Sequence, residues 1–556
     1  MDVFSTASTV PETLRRVLIA GGDGRPELER AAALAESLAR ESASPGERAP
    51  AGDDLARLAR DLRLAVFEAD PLDGRGAGAV LALDAVTPFL DRPRRELARA
   101  VSALDAPPAD TRYLVRLLER REHDKTLAYL ESRRAEEPRN LFWTRQLAGL
   151  ALAAGDSQAA VRAASRLRRP PFGMLASLAD LIEGDAAFLR QDDEAAERLW
   201  AGCPLAVARA RRAEALVRLD RRDEAISLMR HDLAERPWNI ATLLRLHDVA
   251  RGIDRATATL QCGLALLLYT FNKAADLDHT LAGLYRADLS FAPGARIVVL
   301  DNGSTDATPD VLAAWADRLG PGLFERVDLP VNIGAPAARN WLMRHRAARE
   351  AAWLAFLDDD ADPPPEFIGR LAAAATAYPG AGVYGCRVVD AGNPSHIQSA
   401  DLFLEPLPQV PGAPPFSRGF EISRAHLHAL DMGRFDYLRP CASVTGCCHL
   451  FAATTLREVG DFDIRLSPSQ YDDLDHDLRG LLKNRVPIYQ GHLRVAHRKQ
   501  TGSQGRPGGR HYAAGFANQF KLHQFHSSEE FETMARAAFD AAFRDACSKR
   551  AWLGER

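Results

Sequence analysis

The chain has 556 residues, 46% of them hydrophobic and 26% charged, with a formal net charge of −4 at neutral pH. That length exceeds what one hydrophobic core supports, so about two to four domains are expected. The balanced charge, with acids interleaved among the basic residues, gives no electrostatic case for a nucleic-acid partner. Seven cysteines without a C-x-x-C pair read as reduced thiols of a cytoplasmic protein, not as a disulfide or zinc framework. Met1-Asp2-Val3-Phe4-Ser5 has no basic segment followed by an apolar run, so no secretory leader is expected. Apolar runs such as that from Leu147 to Ala154 fall far short of membrane-spanning length, so no integral membrane segment is expected either.

Residues 1–110 read as a helical N-terminal region, broken by turn formers between Ser42 and Gly52, with no function legible. Residues 111–255 are helical and weakly repetitive. Glu137-Pro138-Arg139-Asn140 is echoed by Glu235-Arg236-Pro237-Trp238-Asn239, a separation of roughly three units of about 33 residues. Between them, stretches beginning at Gly155, Gln191 and Arg221 occupy similar turn-then-helix positions. This segment resembles degenerate tetratricopeptide repeats, whose stacking usually presents a concave binding surface. A plain helical bundle whose alanines merely pack is the alternative.

After Arg255 the period changes. An apolar run from Gly263 to Tyr269 ends in Thr270-Phe271-Asn272, and a helix is predicted over 277–285. Strands are predicted at 296–300, 324–329 and 353–357, with helices between them, one carrying Arg339 and Asn340. This alternation argues a parallel sheet in a doubly wound α/β domain. The fourth strand ends in Asp358-Asp359-Asp360, with Asp362 and three prolines close behind. Ligands of open α/β sheets bind at the carboxyl ends of strands. Three carboxylates so close repel one another unless a cation joins them, and hard divalent ions bind through one or two carboxylates plus substrate phosphates. A metal-diphosphate site is therefore expected, the alternative being a solvated acidic turn that caps the helix near Glu366.

Four strand-end motifs in order carry a family resemblance: Thr270-Phe271-Asn272, Asp301-Asn302-Gly303-Ser304-Thr305-Asp306, Asn332-Ile333-Gly334 with Arg339-Asn340, and Phe356-Leu357-Asp358-Asp359-Asp360. Over about residues 262–500 the chain resembles nucleotide-sugar glycosyltransferases of family 2, with the GT-A fold. The resemblance implies that Thr270, Asn272, Asp301, Arg339, Asp358 and Asp359 hold the donor nucleotide, with Asp301 at a pyrimidine and Asp358 on the ribose side. It implies that Asp360 holds a divalent metal, Mn2+ or Mg2+, and that His497 completes its ligands, His492 being a nearby rival. For Asp301 the competing role is capping the following helix, which Asp306 could also do; for Arg339 it is an ordinary salt bridge.

Further on, Val444-Thr445-Gly446-Cys447-Cys448-His449 and Val459-Gly460-Asp461-Phe462-Asp463 resemble the family's acceptor-side strand and turn, with Asp461 in place of the commoner glycine. The adjacent cysteines are expected to pack as small hydrophobes. Asp472-Asp473-Leu474-Asp475 resembles the element that supplies the catalytic base, although Asp472 stands where a glutamate is usual. Asp473 is the predicted base, Asp472 a possible helix cap, and Asp475 with Arg479 a structural pair at i, i+4. The helix N-terminal dipole is expected to keep these acids ionised. Residues 502–509 read as a mobile loop, and 511–556 as a C-terminal helical extension whose Phe516, Phe520, Phe525 and Phe531 pack on the enzyme domain.

The domain plan is thus 1–110 helical, 111–255 repeat-like, 260–510 GT-A and 511–556 helical. The expected protein is cytoplasmic, reaching a membrane only through a partner. It is an inverting, metal-dependent glycosyltransferase that moves sugar from a UDP or dTDP donor to a hydroxyl of a glycan, lipid-linked glycan or protein, the last held by the repeats. Two rivals are a repeat adaptor with a relic transferase domain and a nucleotidyltransferase. The intact set Asp301, Asp358, Asp360 and Asp473 opposes the first. Against the second, no glycine-rich basic loop follows the first strand.

Overall fold

The computed structural model describes residues 3–5, 8–22, 24–42, 50–407, 419–498 and 510–554. The loop predicted at 502–509 lies outside the described residues, as does most of the break predicted after Ser42. Two compact units are present, residues 1–250 with 428–434, and residues 251–427 with 435–556.

The N-terminal region of the first unit is all helical, from Glu12–Ala20 to Ile240–Arg251. From residue 112 onward the helices form successive hairpins: Arg112–Glu119 with His123–Glu136, Leu141–Ala153 with Ser157–Ser165, Ala176–Leu189 with Asp193–Ala201, and Ala206–Arg218 with Arg222–Glu235. Each hairpin turns on one left-handed residue, namely Arg121, Gly155, Gln191 and Asp220. The next amide reaches back over the helix end, Asp156 N to Ala151 O, Asp192 N to Ala187 O and Arg221 N to Leu216 O, closing carbonyls the helix leaves open. Asp156 and Asp192 then cap the following helices by accepting from Ala159 N and Ala195 N. Small residues let the helices approach: a Cβ at Gly184 would stand 2.6 Å from the Trp200 ring. The buried Trp200 indole and Arg211 both donate to Asp185, so this inward acid is satisfied. The segment 428–434 joins the unit through buried Met432 and through Arg434, which donates to Thr242 Oγ1 at 3.0 Å.

The second unit is built on a sheet of β1 Leu264–Thr270, β2 Arg296–Asp301, β3 Phe324–Asp328, β4 Trp353–Leu357, β5 Ala361–Asp362, β6 Tyr384–Asp390 and β7 Ile397–Ser399, outside which β8 Leu404–Pro406 pairs with β9 Phe420–Ile422. β10 Leu438–Pro440, β11 Cys448–Ala452 and β12 Ile488–His497 complete it, in the order β10-β12-β6-β11-β4-β1-β2-β3. β4, β1, β2 and β3 are parallel, in a register that sets Thr270 beside Asp301 and Asp301 beside Asp328. Leu264 to Leu268 are buried without alternation, as a strand covered on both faces requires.

The parallel pattern expected from the sequence ends at β4. β11 enters antiparallel between β4 and β6, so the sheet is mixed. The sequence reading followed local strand-helix alternation, and β11 returns only after a long excursion. That return places Cys448 opposite Leu357 and brings Cys447 O to Asp358 N at 2.9 Å. The order of an all-helical region followed by an α/β sheet domain is as expected. Of the C-terminal phenylalanines, Phe531 is buried, with its ring centroid 4.7 Å from that of Phe420, and Phe525 packs partly buried against the same cluster, while Phe516 and Phe520 are exposed.

Candidate active site

Because β1, β2 and β4 are parallel, their carboxyl ends lie at one edge of the sheet, and Thr270, Asp301 and Asp358 come together there. The two loops that follow β1 and β2 are tied to each other. Asn302 N donates to Thr270 O at 2.9 Å, Asn272 N to Ser304 Oγ at 2.9 Å, and Asn272 Oδ1 accepts from Thr305 N at 2.7 Å. Asn272 adopts φ +54°, a region asparagine tolerates, and its side chain braces the β2 loop. Asp301 is buried and accepts from Ser304 N at 2.9 Å. The capping role weighed for Asp301 falls to Asp306, which accepts from Thr308 N at the start of Thr308–Leu319.

The carboxylates after β4 meet the end of β12. β5 pairs with β12, placing Ala361 opposite His497. His497 Nε2 lies 2.7 Å from Asp360 Oδ1 and 3.8 Å from Asp358 Oδ2. Its Nδ1 lies 2.8 Å from Gln398 Oε1, an oxygen that only accepts, so Nδ1 carries a proton. Gln398 in turn donates to Asp390 Oδ2. His497 is 4% exposed, and its Nε2 meets Asp360 as an ion pair, off the angle of an ordinary hydrogen bond. A buried lone pair facing two carboxylates is repelled unless a proton or metal ion lies between them. Asp358, His497 and Cys447 each offer a ligand atom within 4.8 Å of the others, a set that includes a buried thiol and not Asp360, whose carboxylate is held by His497 and Lys273. The carboxylate and imidazole donors gathered here suit a divalent ion, the thiol being the poorer ligand for a hard one.

Lys273 adds a cation on the other side. Its Nζ bonds Asp360 Oδ2 and stands 3.3 Å from Asp359 Oδ1. Burial pushes the Asp358 carboxyl up, reinforced by Asp360, and pushes Asp359 up to about 6 against the pull of Lys273. Asp360 is held far below the carboxylate range, since His497 and Lys273 together outweigh its burial. Burial lowers the His497 imidazole, but its contact with Asp360 prevails and the net shift is upward.

The third part is the helix Asp472–Leu481. Asp472 is buried and accepts from Arg339 Nη1 at 2.6 Å, while Arg339 Nη2 lies 3.8 Å from Asp358 Oδ1. The Arg339 guanidinium lies near the rings of Tyr269 and Phe462, at 5.5 and 5.3 Å. Asp473 is half-buried and accepts from two amides, Gly446 N at 2.7 Å and Leu474 N at 2.8 Å. Burial pushes the Asp472 carboxyl up to about 6 against the pull of Arg339, which still leaves it mainly ionised near neutral pH. Asp475 pairs with Arg479 at 2.8 Å, as expected. Burial also raises the Cys447 thiol, in keeping with a packed cysteine.

Sequence reasoning missed Lys273, Gln398 and the service of Gly446. Lys273 directly follows the Thr270-Phe271-Asn272 motif, which was the available signal. Gln398 carries none, because its role depends on contacts across the fold; Gly446 lies in the Val444-Thr445-Gly446 stretch singled out in the sequence, but its contact with Asp473 exists only in the folded chain.

Residues 266–445 match the model of the family described as "Glycosyl transferase family 2", so this part of the chain is a family 2 glycosyltransferase domain. Among curated proteins, the chain is 36% identical over 124 residues to "Validoxylamine A glucosyltransferase" of Streptomyces hygroscopicus subsp. jinggangensis (strain 5008), covering 22% of this chain and 28% of that protein. It is 37% identical over 155 residues to the protein of the same name from subsp. limoneus, covering 27% and 33%. The chain thus spans a third or less of the curated relatives it matches. Among solved structures, GalNAc-T7 with UDP, GalNAc and Mn2+ overlaps 48% of this chain and 48% of its own, at 12% identity and a TM-score of 0.36. Mannosyltransferase PcManGT from Pyrobaculum calidifontis, in complex with GDP-Man and Mn2+, overlaps 57% and 87%, at 17% identity and a TM-score of 0.33. The assignment rests on the family match. No described helix is long and apolar enough to cross a membrane.

Proposed function

We propose that the protein is an inverting, metal-dependent glycosyltransferase that transfers sugar from a UDP or dTDP donor to an acceptor hydroxyl. The observation that carries this reading is the convergence of the buried His497 Nε2 on two carboxylates, 2.7 Å from Asp360 Oδ1 and 3.8 Å from Asp358 Oδ2. Asp360, Asp358 and His497 would hold the divalent ion, with Gln398 fixing the imidazole. When bound, such an ion neutralises the charge that builds on the departing nucleoside diphosphate.

The chain's own residues supply the rest. Asp301, buried at the end of β2, offers a carboxylate to the N3–H of a pyrimidine, and Thr270 and Asn272 shape the loop beside it. Asp359 completes the acidic rim on the Lys273 side. Arg339, anchored by Asp472, keeps Nη2 directed toward Asp358 and is placed to meet phosphate oxygens. Asp473 is the base. Its carboxylate is oriented by the Gly446 and Leu474 amides and is less buried than Asp472, whose oxygen is already committed to Arg339. In an inverting step it takes the acceptor hydroxyl's proton as that oxygen attacks the sugar carbon from the face opposite the leaving group.

The acceptor is a glycan, a lipid-linked glycan or a protein. The recurring hairpins of the helical unit, each turned on an equivalent left-handed residue, support the tetratricopeptide reading and a role in holding an extended acceptor. The reading also places the protein in the cytoplasm. It is tested by incubating the protein with UDP-sugars and dTDP-sugars and Mn2+, and scoring release of nucleoside diphosphate. Release that disappears with chelator and with Asp473→Asn supports the reading. Absence of release with every donor, metal and candidate acceptor opposes it.

A further inference from the structure

The candidate metal site carries a cation of its own. Lys273 immediately precedes the helix Ala274–Arg286, and its backbone amide donates to Thr308 Oγ1, so its position is set by the fold. From there its ammonium bonds Asp360 Oδ2 and approaches Asp359 Oδ1 at 3.3 Å, with only 24% of the side chain exposed. The opposite oxygen of the same Asp360 carboxylate faces His497 Nε2. One carboxylate therefore stands between a resident monovalent cation and the place a divalent ion would take.

This arrangement has an electrostatic consequence. Asp358, Asp359 and Asp360 present three carboxylates, which a single divalent ion would leave with one charge in excess. Lys273 cancels that excess in advance, and Arg339, though committed first to Asp472, adds a further positive charge at 3.8 Å from Asp358. A divalent ion entering alone would meet a cluster whose negative charge is already largely answered, with a like charge one carboxylate away. A nucleoside diphosphate arriving with the ion brings the negative charge that the crowded cations lack.

We propose that Lys273 is a built-in counter-cation of the Asp358, Asp359 and Asp360 cluster that holds divalent-metal affinity low until a nucleoside diphosphate binds, so that metal and donor load together. Lys273 acts here as a positioning residue, and the coupling is reciprocal: whatever factor the diphosphate adds to metal affinity, the metal adds to diphosphate affinity. The inference rests on the metal-site reading given above and goes beyond it in assigning the coupling to one side chain.

The test measures Mn2+ binding to the full chain, calorimetrically and by the loss of the free-ion electron paramagnetic resonance signal, with and without UDP or dTDP. Wild-type protein, Lys273→Met, Lys273→Gln and Lys273→Arg are compared, and thermal melting establishes that each is folded. The proposal expects wild-type Mn2+ affinity to rise about tenfold or more when nucleotide is present. It expects Lys273→Met and Lys273→Gln to bind Mn2+ without nucleotide about tenfold more tightly than wild type, with the nucleotide effect correspondingly reduced, and Lys273→Arg to behave as wild type. Wild-type affinity that is indifferent to nucleotide overturns the proposal without need of any variant. So does a folded Lys273→Met or Lys273→Gln that binds Mn2+ no more tightly than wild type. If no protein binds Mn2+ with or without either nucleotide, the metal-site reading itself falls and the proposal falls with it; nucleotide-dependent Mn2+ binding that ignores Lys273 removes the proposal alone.

Discussion

Arg339 and Asp472 meet at 2.6 Å across 133 residues of sequence, both almost wholly buried. Their pairing joins the helix Ala335–Met343 to the helix that carries the predicted base, and its geometry is the frame on which Asp473 and Asp358 are set. Removing the guanidinium leaves Asp472 buried without its counter-ion. Arg339→Met should cost about 3 kcal/mol of stability in urea denaturation and abolish nucleotide binding. A variant as stable as the wild type would show that the pair does not organise the site.

Asp473 is predicted to act on the chemical step. Asp473→Asn keeps a side chain that can accept from the Gly446 amide but cannot take a proton. Turnover should fall by roughly a hundredfold or more, with the nucleotide affinity little changed. A variant that loses donor affinity and keeps turnover would move Asp473 from catalysis to binding.

Gly446 is where backbone and chemistry crowd each other. A Cβ added there would stand 2.7 Å from Arg339 Nη2 and 3.0 Å from Asp473 Oδ2. Gly446→Ala must displace one or both side chains, costing about 1–3 kcal/mol and most of the activity. Wild-type activity in this variant would refute the close packing around the base.

His476 stacks on Phe462 with ring centroids 4.7 Å apart, and burial holds its imidazole down to about 3, against an ordinary value of 6.5. The folded-state value lies below the unfolded one. The stability this neutral imidazole contributes is therefore complete above pH 6.5 and is lost as pH falls from 6.5 toward 3. His476→Gln should lower the melting temperature at pH 7, where the stacking is lost, but flatten its decline between pH 7 and pH 5. Parallel declines for the two proteins would contradict the assignment.

Much of the site was legible because chemistry-bearing residues sit at the ends of apolar runs. Asp301 and Asp358 each close a buried strand, and parallel strands end at one edge, so local pattern sufficed to bring them together. His497 was legible as the end of a last strand, and its Nε2 lies 2.7 Å from Asp360 Oδ1. The antiparallel entry of β11 was not legible, because strand order depends on pairing between distant segments. Nor was the commitment of Asp472 to Arg339. Read locally, Asp472 is a helix-cap residue, and only the folded chain supplies its partner. Lys273 was passed over for the converse reason: a lysine after a turn is ordinarily solvated, and nothing local announces that it folds back onto Asp360.

Asp358, Asp360 and His497 are proposed as a metal-dependent nucleoside-diphosphate site. Calorimetric titration of UDP and dTDP into the protein with Mn2+, then with chelator, and repeated on Asp360→Ala and His497→Ala, tests it most directly. Binding that requires the metal and is lost or weakened at least about tenfold in both variants is the expected result. Nucleotide binding that is unchanged by chelator and by both substitutions, or no binding under any condition, would contradict it.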